Sequence, residues 1–402
     1  MTAHTFSGRT PMSGRVILAL SSLIHFLVDL SCIYFMNAVV FPMSVTAQDF
    51  LTYVILYNFC AFALPAAVGF AADRLVHKVR SRNAVLLRLL VSSAGCLLVG
   101  SGYFLFRAPL AMVTMIGVGN GMFHVGAGME VLFESKGHFA SPGIFISTGA
   151  VGVYLGTVWG KQFLPLWNLF VAAMFASAAV LAFLGLYAAR KDDNHLTGSQ
   201  EIIPAQQDDP LPANISSVHQ DNPLPAGISP AHRFRMLSVS ACVILFTVVF
   251  IRSYYGGLTT YSWKAGFLPG LIFTLCVAGG KFSGGILADR AGLRTAVLLS
   301  LGIAGITALF SFESPVCGCI SIFFFNMTMP LTLSMLAEQI PGYSGFAFGV
   351  LMLALFLGTL PAMLFGIHWF GSPIGLCFLC AVSMAGLLIV LRTFSSQNAG
   401  RA

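Results

Sequence analysis

Twelve apolar stretches of about 20 residues each dominate this 402-residue chain and leave it few possible folds. A stretch of that length crosses the hydrocarbon core of a bilayer as a helix, at ~1.5 Å per residue. The stretches lack the period-2 alternation of a transmembrane barrel, so they read as helices. Only 9% of the residues are charged, against roughly 25% in soluble domains, and 57% are hydrophobic. Lipid must therefore serve as solvent, and in lipid only helices or closed barrels satisfy the backbone.

The first six stretches fall at 16–40, 51–72, 84–105, 109–133, 140–162 and 166–189. The second six fall at 236–257, 266–288, 295–312, 317–339, 345–368 and 373–393. Loops within each set are short, so consecutive helices are antiparallel neighbours. Residues 190–233 are polar, rich in Pro and poor in aromatics, which reads as a disordered linker. That segment contains a small repeat of its own, Gln207 to Ser216 and Gln220 to Ser229, which serves as a spacer or a docking segment. The expected organisation is a six-helix bundle over 1–189, a cytoplasmic linker over 190–235 and a second bundle over 236–402.

One phrase ties the two sets together. Gly69-Phe70-Ala71-Ala72-Asp73-Arg74 and Gly285-Ile286-Leu287-Ala288-Asp289-Arg290 share the pattern G-x-x-A-D-R, with the two aspartates 216 positions apart. Each copy follows an apolar stretch and leads through basic residues into the next, at Ala84 and at Ala296. Leu155-Gly156-Thr157 and Leu357-Gly358-Thr359 form a second such pair, each about 20 residues after Glu134 or Glu338. Duplication of a six-helix unit predicts two pseudo-symmetric bundles, an architecture typical of transporters.

Charge sets the expected orientation. With the N-terminus in the cytoplasm, fifteen of the 21 basic residues lie on that side, and only Arg107, Lys161 and Lys264 fall in outer loops. The formal charge of +7 thus reflects the positive-inside bias and needs no nucleic-acid partner. No secretory signal peptide is legible in the polar first residues. The nine cysteines lie almost all inside apolar stretches, which points to helix packing, and Cys377 and Cys380 lack a second ligand pair at zinc-like spacing. No P-loop, G-x-S-x-G or H-E-x-x-H is present, so the expectation is no enzyme, no cofactor and no metal.

Twelve spans, a long central loop and G-x-x-A-D-R after spans 2 and 8 resemble the major facilitator superfamily over nearly the whole chain. The copy at Gly285 continues Asp289-Arg290-Ala291-Gly292-Leu293-Arg294, similar to that superfamily's G-x-x-x-D-R-x-G-x-R loop. The first copy departs from it, because Arg74 is followed by Leu-Val-His-Lys-Val-Arg with no Gly. A narrower likeness rests on His25-Phe-Leu-Val-Asp29, Phe123-His124, Arg252-Ser253 and Met329-Pro330, which resemble the fosmidomycin-resistance-type exporters. The superfamily resemblance implies two rocking bundles around a central cavity. The exporter likeness implies efflux by proton antiport.

Ionisable groups at bilayer depth cost about 2.5–3.5 kcal/mol to insert, which makes them candidates for function. His25 and Asp29 share a face of span 1, ~13 and ~20 Å from its start, and form either a proton-coupling pair or a structural hydrogen bond. Lys281, eight residues before Asp289, lies near the midplane and either anchors an anionic substrate or pairs permanently with Asp29. Asn120 and His124, again four apart on span 4, would bind substrate, relay a proton or simply satisfy the core. Asn326 on span 10 is a further substrate-binding candidate. Arg252 either snorkels to the outer surface beside Tyr254 and Tyr255 or anchors substrate in an outer vestibule, and Arg88 snorkels to the inner interface.

Asp73, Arg74, Asp289 and Arg290 form a separate group. The N-termini of spans 5 and 11 carry partial positive charge at the cytoplasmic face, where an aspartate from the opposite half can cap them. Glu130 and Glu134 could pair with Arg74 or Arg82 there. These are expected gate residues. Gly152, Gly156 and Gly160 at four-residue spacing read as a close-packing stripe on span 5.

The expectation is a multi-pass inner-membrane transporter with both termini in the cytoplasm and sufficient as a monomer. Its partners are protons, lipid and a small anionic or amphiphilic solute. Uptake by symport uses the same residues, and a non-transporting sensor on the same scaffold is the alternative from another class.

Overall fold

Each long apolar stretch folds as a helix because lipid offers the backbone no hydrogen-bond partner. The computed structural model describes residues 11–79, 81–198 and 230–399, with side chains over 14–79, 83–190 and 239–393. No strand occurs among the described residues. The first six spans are α1 (Gly14–Met43), α2 (Ala47–Val76), α3 (Asn83–Leu105), α4 (Pro109–Ser135), α5 (Ala140–Lys161) and α6 (Trp167–Arg190). The second six are α7 (Val239–Leu258), α8 (Phe267–Ala291), α9 (Leu293–Ala308), α10 (Pro315–Gln339), α11 (Ser344–Phe365) and α12 (Pro373–Thr393). Eleven meet the length of a membrane crossing, and α9 is a shorter apolar helix.

Local chemistry explains where the boundaries moved. Span 9 was expected to reach 312, but the helix stops at Ala308. Pro315 opens α10 at its first turn and Ser314 accepts from the Cys317 N–H at 3.3 Å, so the residues between form a turn. In α2 a wide turn at Phe59–Ala63 precedes Pro65, which has no N–H to donate. Thr46 and Asp49 form a reciprocal cap that starts α2 earlier than the apolar pattern suggests. The helix of α6 continues to Gly198 and that of α7 begins at Pro230, so both enter the segment expected to be linker. The rest of that segment, 199–229, lies outside the described residues.

Helices α1–α6 and α7–α12 form two bundles that meet along two seams, α5 against α8 and α2 against α11. Small residues make both seams close. A Cβ on Gly143 would lie 2.8 Å from the Lys281 carbonyl, and one on Gly285 would strike the Phe139 carbonyl. At the other seam Gly69 meets the backbone of Gly345, and Gly349 meets that of Pro65. The stripe Gly152, Gly156 and Gly160 packs instead on α1, against Phe26, Leu30 and Tyr34. All nine cysteines are free, and Gly305 of α9 packs on Cys377 and Cys380.

Candidate functional site

Three ionisable side chains converge where α1, α4 and α5 meet. His25 and Asp29 are one helical turn apart on α1, and His124 comes from α4, whose Gly121 and Gly126 pack closely on α2 and α3. The His25 Nε2 lies 3.3 Å from Asp29 Oδ2 and 2.9 Å from His124 Nε2. His124 Nε2 lies 3.8 Å from Asp29 Oδ1, which also accepts from Asn120 Nδ2 at 3.1 Å. All four side chains are buried. Each histidine is fixed from behind: Nδ1 of His25 meets the Phe145 carbonyl at 2.7 Å, and Nδ1 of His124 meets the Asn120 carbonyl at 2.9 Å. Gly149 of α5 leaves room for the cluster, since a Cβ there would lie 2.5 Å from His25 Nε2 and closer still to Asp29 Oδ2.

The second bundle faces this cluster with positive charge. Lys281 of α8 is half-buried and within electrostatic reach of Asp29, His124 and Arg252. Among the described residues it forms no hydrogen bond or ion pair, so it is not the permanent partner of Asp29. Phe348 of α11 places its ring 6.5 Å from that of His124. The cluster thus sits at the seam between bundles.

Two arginines lie deeper than expected. Arg252 does not snorkel outward: it is 6% exposed and donates to Thr328 Oγ1 at 2.6 Å and Thr332 Oγ1 at 3.3 Å. Its Nε–H is buried without a partner among the described residues. The neighbours Tyr254 and Tyr255 are also buried, with Tyr255 stacked on Phe325 at 4.0 Å rather than lying in an aromatic belt. Arg88 does not reach the interface either. It is buried against Glu130 at 2.6 Å, with its guanidinium 4.4 Å from the Phe133 ring. Glu130 therefore engages Arg88, while Arg74 is exposed over the Phe70 ring. The Arg82 side chain lies outside the described ones. Glu134 points its carboxylate at Gly14 of α1. Asn326 turns back on its own helix, donating to the Ile322 carbonyl at 2.8 Å, and joins no cluster.

The two aspartates of the repeated phrase occupy equivalent places. Asp73 accepts from the Gly345 and Phe346 N–H groups at 3.1 and 2.8 Å, at the start of α11. Asp289 accepts from Phe139 and Ala140 at 2.8 and 2.9 Å, at the start of α5. Each carboxylate crosses from one bundle to a helix N-terminus of the other, where the helix dipole favours negative charge. Arg290 is exposed, and His138 approaches Asp289 at 3.8 Å. A cavity of about 560 Å³ lies at this end, lined by Asp73, His77, Arg88, Glu338 and Ser344. It does not include the His25–Asp29–His124 cluster.

Sequence spacing shows no metal cluster, yet the fold brings the donor atoms of His25, Asp29 and His124 within 4.8 Å of one another. The surrounding charge opposes a divalent ion there. With one carboxylate in the cluster and Lys281 facing it, such an ion would leave two positive charges at the buried seam, where a proton leaves one. We assign none of the three as a metal ligand.

No protein-family profile matches the chain, and no curated protein matches it. Among solved structures it is similar to a variant of the E. coli fucose:proton symporter FucP, with 17% identity and a TM-score of 0.55 over 94% of this chain and 98% of that one. It is also similar to FucP described as a major facilitator superfamily transporter in the outward conformation, with 18% identity and a TM-score of 0.53 over 94% and 99% of the two chains. At such identities the likeness shows the fold, which is the major facilitator arrangement of two six-helix bundles. Neither match bears on the resemblance to fosmidomycin-resistance-type exporters.

Proposed function

We propose that this multi-pass membrane protein, built on the major facilitator fold, is a secondary active transporter. It moves a small anionic or amphiphilic solute by alternating access, coupled to protons, in the export direction. The observation that carries this reading is the buried cluster of His25, Asp29 and His124 at the seam, facing the unpaired Lys281. Ionisable groups are expensive in a bilayer and face a bundle interior or cavity when they occur. Proton exchange at the cluster that includes His25 and Asp29 alters the charge at the seam. The solute's anionic group is drawn to Lys281, with His124 and Asn120 on the opposite wall and Arg252 behind.

Asp73 and Asp289 act as gate residues in this reading. Their caps hold the two bundles together at one end, assigned to the cytoplasmic face, and break when that end opens. Arg74, Arg290, Glu130 and Glu134 support the same end. The termini and the linker are placed in the cytoplasm on the charge bias of the sequence.

Uptake by symport is a second reading, favoured by the solved structures that share the fold, one of which is named as a proton symporter. A metabolite-accumulation and susceptibility screen on a deletion strain supplies a test solute. Its flux is then followed in proteoliposomes under an imposed pH gradient. Export coupling requires flux that follows the gradient and is lost in Asp29→Asn. Gradient-independent flux that survives Asp29→Asn overturns the coupling, and a flux driven by inward proton movement in the same direction establishes symport.

A further inference from the structure

The hydrogen atoms of the two imidazoles can be counted. Nδ1 of His25 faces a carbonyl oxygen at 2.7 Å, and Nδ1 of His124 faces another at 2.9 Å. A carbonyl only accepts, so each Nδ1 carries a hydrogen. A neutral imidazole has one ring N–H, and in both rings it is now spent. The two Nε2 atoms would then present bare lone pairs to each other at 2.9 Å, a hydrogen-bonding distance. Two acceptors do not attract at that separation, and one hydrogen between them turns the contact into a charge-assisted bond.

We infer that His25 and His124 hold a single proton between their Nε2 atoms, so that the imidazole pair, rather than the Asp29 carboxyl, carries the proton of this protein. The pair binds that proton as a unit. Asp29 stays ionised beside it, with Oδ2 3.3 Å from His25, Oδ1 3.8 Å from His124, and Oδ1 also accepting from Asn120. The groups around the pair fit this role. On α5, Phe145 stacks on His25 at 4.6 Å and Gly149 adds no side chain. On α4, Asn120 bonds Asp29 and Cys32, and Tyr57 of α2 stands behind Cys32. Phe348 comes from α11, and Lys281 of α8 is the cation that faces the site. Asp29 is the one carboxylate among these groups, and it balances the shared charge.

Release of the proton breaks one Nε2–H bond and returns both rings to neutrality. The lone pairs then face each other, and the rings must separate. His25 is tied through Phe145 to α5, which packs along α8, while His124 leans on Phe348 of α11. Ring separation therefore pushes on the α5–α8 seam and on the α4–α11 contact between the bundles. This deepens the proton-coupled reading above, and the location of the proton can be measured without any transport.

The experiment uses the full chain in lipid nanodiscs, with ring-15N histidine for magnetic resonance and 13C-labelled aspartate for infrared spectroscopy, over a pH titration. The expected result is a shared imidazolium signal lost in both His25→Gln and His124→Gln, with no protonated-carboxyl band from Asp29. Asp29→Asn should keep the shared signal but bind the proton about tenfold or more weakly, because the facing negative charge is gone. A protonated-carboxyl band that disappears in Asp29→Asn overturns the inference. So does titration of His25 in His124→Gln with the same affinity as the wild-type signal, or binding of one equivalent of Zn2+ alone that replaces the ring signals. The wild-type spectra decide the matter even if a histidine variant fails to fold. A shared proton together with gradient-independent flux would sink the transport reading and leave this one standing.

Discussion

At the scale of single residues, the site depends on what is missing from α5 as much as on what is present. Gly149 sits against Asp29 Oδ2 and His25 Nε2, while Gly302 of α9 has no atom within 4 Å of an added Cβ. Gly149→Ala is expected to force the cluster apart, costing about 1–3 kcal/mol as overpacking and abolishing pH-gradient-driven flux. Gly302→Ala should leave both unchanged. Thermal unfolding in detergent together with proteoliposome flux checks the pair. A Gly149→Ala protein that matches wild type in both would show that the cluster tolerates rearrangement. Arg88 and Glu130 make a different residue-scale case. Both are buried and lie 2.6 Å apart, so Glu130→Gln leaves an arginine charge under-compensated and should cost about 3–5 kcal/mol. The double change Arg88→Met with Glu130→Leu should recover most of that loss in the same unfolding assay. No recovery would mean that the charges do more than neutralise each other.

At the scale of elements, the duplicated phrase acquires a physical meaning. Its glycine and its aspartate are one helical turn apart, so they lie on one face of α2 and of α8. The glycine brings that face against the backbone of the opposite bundle, and the aspartate then reaches two unpaired N–H groups. Each cap is worth roughly 0.5–2 kcal/mol. Asp73→Ala and Asp289→Ala should therefore each loosen the same end, and the double variant should loosen it more. Spin-label distances between the ends of α2 and α11, and of α5 and α8, should lengthen. Unchanged distances in the double variant would remove both residues from the gate. The aromatic contacts of Phe70 and His77 with Tyr343 lie beside the first cap and would have to open with it.

At the scale of the whole molecule, the number of helices, their order and the two-bundle architecture were legible because bilayer thickness imposes a length on every span. Where that rule failed, at α9, proline and serine at the next helix start outweighed an apolar tail. His25 with Asp29 was legible because a spacing of four places side chains on one face regardless of neighbours. His124 touching both, 95 positions from Asp29, was not, because no periodicity links α1 to α4. Distance along the helix suggests snorkelling for Arg88, and for Arg252 as one of two readings, but neither does so in the fold. A buried carboxylate for one, and two threonine hydroxyls for the other, offered better company than the interface. Sequence alone thus determined what must lie in lipid and that the chain is doubled, since both follow from local composition and repetition. Only the tertiary structure decided which nitrogen faces which, because the packing of one helix on another is set by side chains far apart in the chain.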